Sequence, residues 1–183
     1  YSGTNSSPTI INCIISGNWA GQGGGMHNSH NASPEIRNCT FSGNEAEMGG
    51  GIYSGTNSSP TITNCIVWNN YAGIGTEELY NDGTSTAIVT YSDVKGGWPG
   101  EGNIGLDLDL DNPLFVNGPG GYNYLSQSAT GDPDQSSDSP CVDTGSDTAA
   151  NLGLDEKTTR TDGVPDTGTV DMGYHYEPIV LTL

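Results

Sequence analysis

Residues 1–10 read YSGTNSSPTI, and the same ten letters return unchanged at residues 53–62. The true period is half that distance. At an offset of 26 the chain reads YSGTNSSPTIINCIISGNWAGQGGGM, then HNSHNASPEIRNCTFSGNEAEMGGGI, then YSGTNSSPTITNCIVWNNYAGIGTEE. Pro8/Pro34/Pro60, Asn12/Asn38/Asn64, Cys13/Cys39/Cys65 and Asn18/Asn44/Asn70 coincide. A fourth unit is fainter: Ile88 falls 26 residues after Ile62, and Tyr91 falls 26 after Cys65. A fixed period of this length marks a structural unit that stacks on its own copies.

The unit is built from strands. TIINCII, EIRNCTF, TITNCIV and TAIVTYSDV are short, rich in Ile, Val and Thr, and bounded by Gly, Asn, Ser and Pro, which is strand and turn chemistry. The spacing therefore predicts an all-β chain of parallel β-helix type, about 26 residues per coil, with rungs roughly 4.8 Å apart. Alternation puts Ile10, Ile36, Ile62 and Ile88 inward, with Cys13, Cys39, Cys65 and Tyr91 as a second inner row. Ile15, Phe41 and Val67 follow in the same phase. Asn12, Asn38 and Asn64 are expected to face outward on strands. Asn18, Asn44 and Asn70 are expected in turns, where an amide can bond the backbone. The GGG runs at 23–25 and 49–51 suit bends that a side chain would obstruct. The three in-register cysteines read as small buried side chains with free thiols; a single disulfide along the ladder is the alternative. Cys141 is expected to be buried too.

The organisation changes after the repeats. Residues 1–104 are assigned to the coils and residues 105–183 to an acidic carboxy-terminal cap continuous with them, whose task is to close an end of the solenoid. The sequence begins inside the repeat pattern, so upstream coils are expected, and the open amino-terminal end offers a place for them or for another rod to associate. No apolar run long enough to span a membrane is present. A net charge of −18, from 22 acidic residues against four basic ones, opposes nucleic acid as a partner.

GGGIYSGTNSSPTITNCIVWNN resembles the right-handed parallel β-helix repeats of bacterial secreted and cell-surface proteins. NPLFV, SPCVDTG and VDMGYHYE resemble the carboxy-terminal body that usually precedes a variable anchoring signal in such proteins. The resemblance implies a right-handed solenoid and a secreted or cell-surface location. No sorting motif follows Pro178, where IVLTL closes the sequence. Related folds serve lyases, hydrolases and adhesins, so the resemblance implies no single activity.

The acids are the side chains that could carry chemistry. A glycosidase needs two carboxylates roughly 5 Å or 6.5–9.5 Å apart on one face, and Glu45, Glu47, Glu77 and Glu78 are the weak candidates if the chain is an enzyme. A lyase base is unsupported, because Arg37 and Lys95 do not stand a whole number of periods apart. Calcium is the suspected cofactor, in a structural role, since hard oxygen ligands at alternating positions suit it. Asp107, Asp109 and Asp111 form one such run, although alternation with Leu106, Leu108 and Leu110 equally describes a half-buried strand. Asp132, Asp134 and Asp138 form a second group. Asp155, Glu156, Asp162, Asp166 and Asp171 form a third. The expected function is a non-catalytic extracellular structural or adhesive module contacting polysaccharide or a cell-surface or matrix component. The alternative is a fragment of a carbohydrate-active enzyme. Tyr1, His27 and Tyr53 share one register, and Trp19 and Trp68 do not; packing in loops is the expected role for these rings, and stacking on sugar rings is the alternative where they reach solvent.

Overall fold

The computed structural model describes residues 1–178, and the closing IVLTL lies outside the described residues. Each of the first three coils carries four short strands: β1 Thr9–Ile11, β2 Ile14–Ser16, β3 Trp19–Gln22 and β4 Met26–Asn28; then β5 Glu35–Arg37, β6 Thr40–Ser42, β7 Glu45–Met48 and β8 Ile52–Ser54; then β9 Thr61–Thr63, β10 Ile66–Trp68, β11 Tyr71–Ile74 and β12 Leu79–Asn81. The fourth coil adds β13 Ile88–Thr90 and β14 Asp93–Val94. Equivalent strands pair in parallel, giving the four sheets of a right-handed parallel β-helix, two of them through all four coils and two through the first three.

Left-handed residues turn the corners, at the same place in each coil. Asn12, Asn38, Asn64 and Tyr91 have φ of 50°, 49°, 54° and 47° between the first and second strands. Gly17, Gly43 and Asn69 do the same before the third strand, with φ of 66°, 63° and 59°. Asparagine and glycine tolerate this conformation best. The first asparagine row is therefore a corner row, which corrects its expected place on a strand. At the GGG corner a Cβ on Gly50 would sit 2.2 Å from the Tyr71 carbonyl oxygen, so the coil above leaves no room for a side chain.

The inner rows follow the alternation for three coils. Ile36, Ile62, Cys39, Cys65, Phe41 and Val67 are fully buried, with Ile10, Cys13 and Ile15 packed against them. All four cysteines are free thiols. The fourth coil differs from expectation by one residue. Ile74 pairs with Met48, 26 positions back, but Leu79 pairs with Ile52, 27 positions back. The extra residue thus enters between Gly75 and Glu78. A one-residue slip exchanges the faces of a strand: Val89, not Ile88, stacks on Ile62, Ile88 is 55% exposed, Tyr91 takes the asparagine corner, and buried Ser92 takes the cysteine place.

Closure of the carboxy-terminal end falls to the segment 96–105. Trp98 packs on the core, Asn103 Nδ2 donates to the Val89 carbonyl at 2.9 Å, and Ile104 bridges to Asp93. The irregular region beyond it takes another course. It includes the antiparallel hairpin β15 Phe115–Gly118 and β16 Gly121–Leu125 and the helical turn α1 Ala149–Leu152, and it lies along the flank of the coils over the second sheet. There it buries Ile66 and Trp68, which point away from the solenoid interior, against Leu125, Cys141 and Met172 in a second core.

Candidate cation site

Three consecutive tail residues tie three consecutive coils. Gly173 N–H donates to the Asn64 carbonyl at 2.8 Å, Tyr174 N–H donates to Thr40 Oγ1 at 3.1 Å, and His175 N–H donates to Asn12 Oδ1 at 2.7 Å. Asn12 Nδ2 returns a bond to the His175 carbonyl at 2.9 Å. Asn64 uses its amide on Ser146, accepting from its N–H at 2.8 Å and donating to its hydroxyl at 3.0 Å. The left-handed corner aims these two amides outward at the tail, and repetition provides one such corner per coil.

Beside this strap the structure gathers Asp143, Asp166 and Asp171, one ligand oxygen from each lying within 4.8 Å of the others. Asp166 and Asp171 are buried and Asp143 is exposed, so the group opens to water on one side. Two of the three acids are already oriented by hydrogen bonds. Asp171 Oδ1 accepts from Asp143 N–H at 2.7 Å, and Oδ2 accepts from Gln127 Nε2 at 3.2 Å and from the Thr159 hydroxyl. Asp166 Oδ2 accepts from Asp171 N–H at 2.9 Å and meets His175 Nε2 at 2.8 Å. The His175 ring is wholly buried, and its Nδ1 faces the Gly173 carbonyl at 3.1 Å. A carbonyl only accepts, so Nδ1 carries the hydrogen of that bond and Nε2 is the ring nitrogen turned to Asp166. Burial, and then the charge of Asp166, push the Asp171 carboxyl up to about 6. The same two causes raise Asp143. Carboxylates crowded in this way hold a proton or take a cation. An all-oxygen donor set suits a hard divalent ion.

The acids singled out in the sequence fall elsewhere, apart from Asp166 and Asp171. Residues 106–111 form turns, not a strand, and Leu106 and Leu110 are exposed. Asp107 Oδ1 accepts from the N–H groups of Asp109 and Leu110, each at 3.1 Å. Asp111 Oδ2 accepts from Gly105 and Asp107 N–H at 3.1 and 2.9 Å, while Asp109 is exposed. Asp132 caps the turn to Asp134 at 3.0 Å, and Asp138 accepts from Ser128 N–H at 2.7 Å. Asp162 pairs with Arg160 at 2.6 Å, and Asp155 and Glu156 face solvent. Among the described residues, none of these joins a group of three ligands. Asp143 escaped sequence reading because SPCVDTG was read for its cysteine; His175 escaped because nothing local marks a ring that bonds across the fold.

The candidate glutamates of the coils fall into two pairs of near neighbours along the chain. Glu45 and Glu47 stand exposed on one face of β7, and Glu77 is exposed in the loop between β11 and β12. Glu78 is buried and ends a ladder of amides. Asn44 Nδ2 donates to Asn70 Oδ1 at 2.9 Å, Asn18 Nδ2 donates to Asn44 Oδ1 at 2.9 Å, and Asn70 Nδ2 donates to Glu78 Oε2 at 2.5 Å. Tyr1, His27, Tyr53 and Tyr80 stack edge or face on one another along the rod, with centroids 5.0–5.5 Å apart, and Trp68 belongs to the second core.

Fold and site together define a β-solenoid module with a flank-bound tail and a three-carboxylate group able to coordinate a cation. Residues 1–124 match the family model described as the right handed beta helix region, and the chain belongs to that family. No curated protein and no solved structure matches it. No helix among the described residues is long and apolar enough to cross a membrane.

Proposed function

We propose that this chain is a non-catalytic structural or adhesive module of a secreted or cell-surface bacterial protein, in which calcium bound by Asp143, Asp166 and Asp171 locks the acidic tail onto the coils. The module contacts polysaccharide or another surface component through its exposed faces. The observation that carries the reading is the position of the three carboxylates at the root of the Gly173–His175 strap. An ion there neutralises mutual repulsion where the tail grips three coils. The employment of Glu78 in the amide ladder, and of the turn aspartates in capping backbone N–H groups, supports a structural rather than a chemical use of these acids.

The test is a thermal melt in calcium, in magnesium and in chelator, on the wild type and on Asp143→Asn and Asp171→Asn, paired with incubation on polysaccharides scored for retention and for chain shortening. The reading expects a calcium-dependent rise in melting temperature that both variants lose, and retention without shortening. A melt indifferent to calcium removes the cation; shortening of any polysaccharide replaces the module with an enzyme.

A further inference from the structure

The outer face of the sheet formed by β3, β7 and β11 has an arrangement that the fold itself does not require. Trp19, Glu45 and Tyr71 occupy one outward row on successive coils. Trp19 is 72% exposed and Tyr71 57% exposed, and neither ring packs on another aromatic, unlike those of the Tyr1–His27–Tyr53–Tyr80 stack. Two rungs separate them, about 9.6 Å along the rod, close to the length of one disaccharide unit in an extended glycan. The next outward row is Gly21, Glu47 and Gly73.

These two glycines have no conformational reason to be glycine. Neither has positive φ. A Cβ on Gly21 would meet nothing within 4 Å, and one on Gly73 would touch only Glu47 backbone, at 3.8 Å or more. Glycine inside a strand weakens it and often marks a bulge, a bend, or the close approach of a backbone or a ligand; here no bulge, bend or crowding backbone accounts for either one. Beside each ring the floor is thus free of a side chain without benefit to folding, with Glu47 standing between the two openings.

We infer that this strip is a binding site for a neutral glycan lying parallel to the rod axis. Trp19 and Tyr71 stack on sugar rings two rungs apart, Glu45 and Glu47 accept hydrogen bonds from hydroxyls, and Gly21 and Gly73 let the chain sit against the backbone. Both charged groups of the strip are carboxylates, which repel a polyuronate and leave hydroxyl donors as the favoured partners. The inference rests on the polysaccharide contact proposed above and names its face, its residues and its sugar class.

The experiment is calorimetric titration of the full chain with cellohexaose, xylohexaose, mannohexaose and hexagalacturonate, repeated with the double variant Trp19→Ala/Tyr71→Ala and with Gly73→Thr. At least one neutral hexasaccharide should bind and hexagalacturonate should not. The double variant should weaken binding by about tenfold or more. Gly73→Thr should weaken it too, without lowering the melting temperature, because its side chain enters open space. Unchanged binding by the double variant overturns the strip and leaves glycan contact standing elsewhere. Preference for hexagalacturonate overturns the assigned chemistry. Binding of none of the neutral chains overturns the strip, and retention on no polysaccharide removes the contact as well. Concentration-dependent self-association that the double variant abolishes, without sugar binding, reassigns the face to a second copy of the chain.

Discussion

Glu78 stands where a fourth ladder asparagine would stand. Its Oε2 accepts from Asn70 Nδ2 at 2.5 Å, and both its oxygens lie 3.3 Å from Asn70 N–H. The coils thus terminate a run of side-chain amides with a carboxyl, and they do so where the extra residue enters the third coil.

That carboxyl is costly to ionise. Burial pushes it from an ordinary 4.5 up to about 7, and the Asn70 donors and the charge of Lys95 offset only part of the rise. A carboxyl whose folded value is raised binds its proton more tightly in the folded state, so its contribution is fully present below pH 4.5 and is lost as pH climbs through 7. Glu78→Gln keeps the acceptor and removes the charge. It should raise stability at pH 8 by up to about 3 kcal/mol and leave it nearly unchanged at pH 4, as read from urea melts at the two values. Asp93, pushed up to about 7 by burial, acts with the same sign, so the variant should retain part of the alkaline loss.

The ladder's middle member should be its most sensitive. Asn44 is fully buried; its Nδ2 serves Asn70 and, at 2.8 Å, the Ile15 carbonyl, while its Oδ1 receives Asn18. Asn44→Ala orphans groups in the coils on both sides. A loss of about 2–4 kcal/mol is expected, measured by denaturant unfolding, whereas Asn18→Ala at the exposed end should cost under about 1 kcal/mol.

The strap can be lifted without touching the coils. A Cβ on Gly173 would fall 2.8 Å from Ile66 Cδ1 and 2.9 Å from Thr40 Oγ1, at φ +88°. Gly173→Ala should therefore unseat residues 171–176 while the four sheets persist. Hydrogen exchange should show faster labelling at Gly173, Tyr174 and His175 amides, with protection retained in β5–β12.

Thiol reactivity should sort by depth. Cys13 is half-buried, whereas Cys65 and Cys141 are fully buried with thiols raised well above their ordinary value by loss of solvent. Cys13 should react first with a thiol reagent in the folded protein. Cys39, Cys65 and Cys141 should wait for denaturant, giving four equivalents in total.

How much of this was legible in the sequence follows from what repeats. The inner rows could be placed because a period of two within strands and of 26 between them fixes both face and register. The slip at Gly75–Glu78 could not, since one added residue in an irregular loop leaves no trace except the exchange of Ile88 for Val89. The candidate site was half visible: Asp166 and Asp171 stood in an acid-rich stretch, but Asp143 and His175 reach them through contacts that no local pattern encodes. The spacing that suggested ligands at Asp107, Asp109 and Asp111 also suits a carboxylate that caps the N–H groups two and three residues on, and that is its use here.

A solenoid made of equivalent coils can in principle gain or lose one without notice. This one cannot do so between Asn12 and Asn64. The stretch from Gly173 to His175 spends one residue per coil, so a duplicated unit inserted there would carry Asn12 a full rung beyond the reach of His175. The tail works as a gauge that holds the interior count of coils fixed, and a chain that grew by copying would have to do so outside the span it measures.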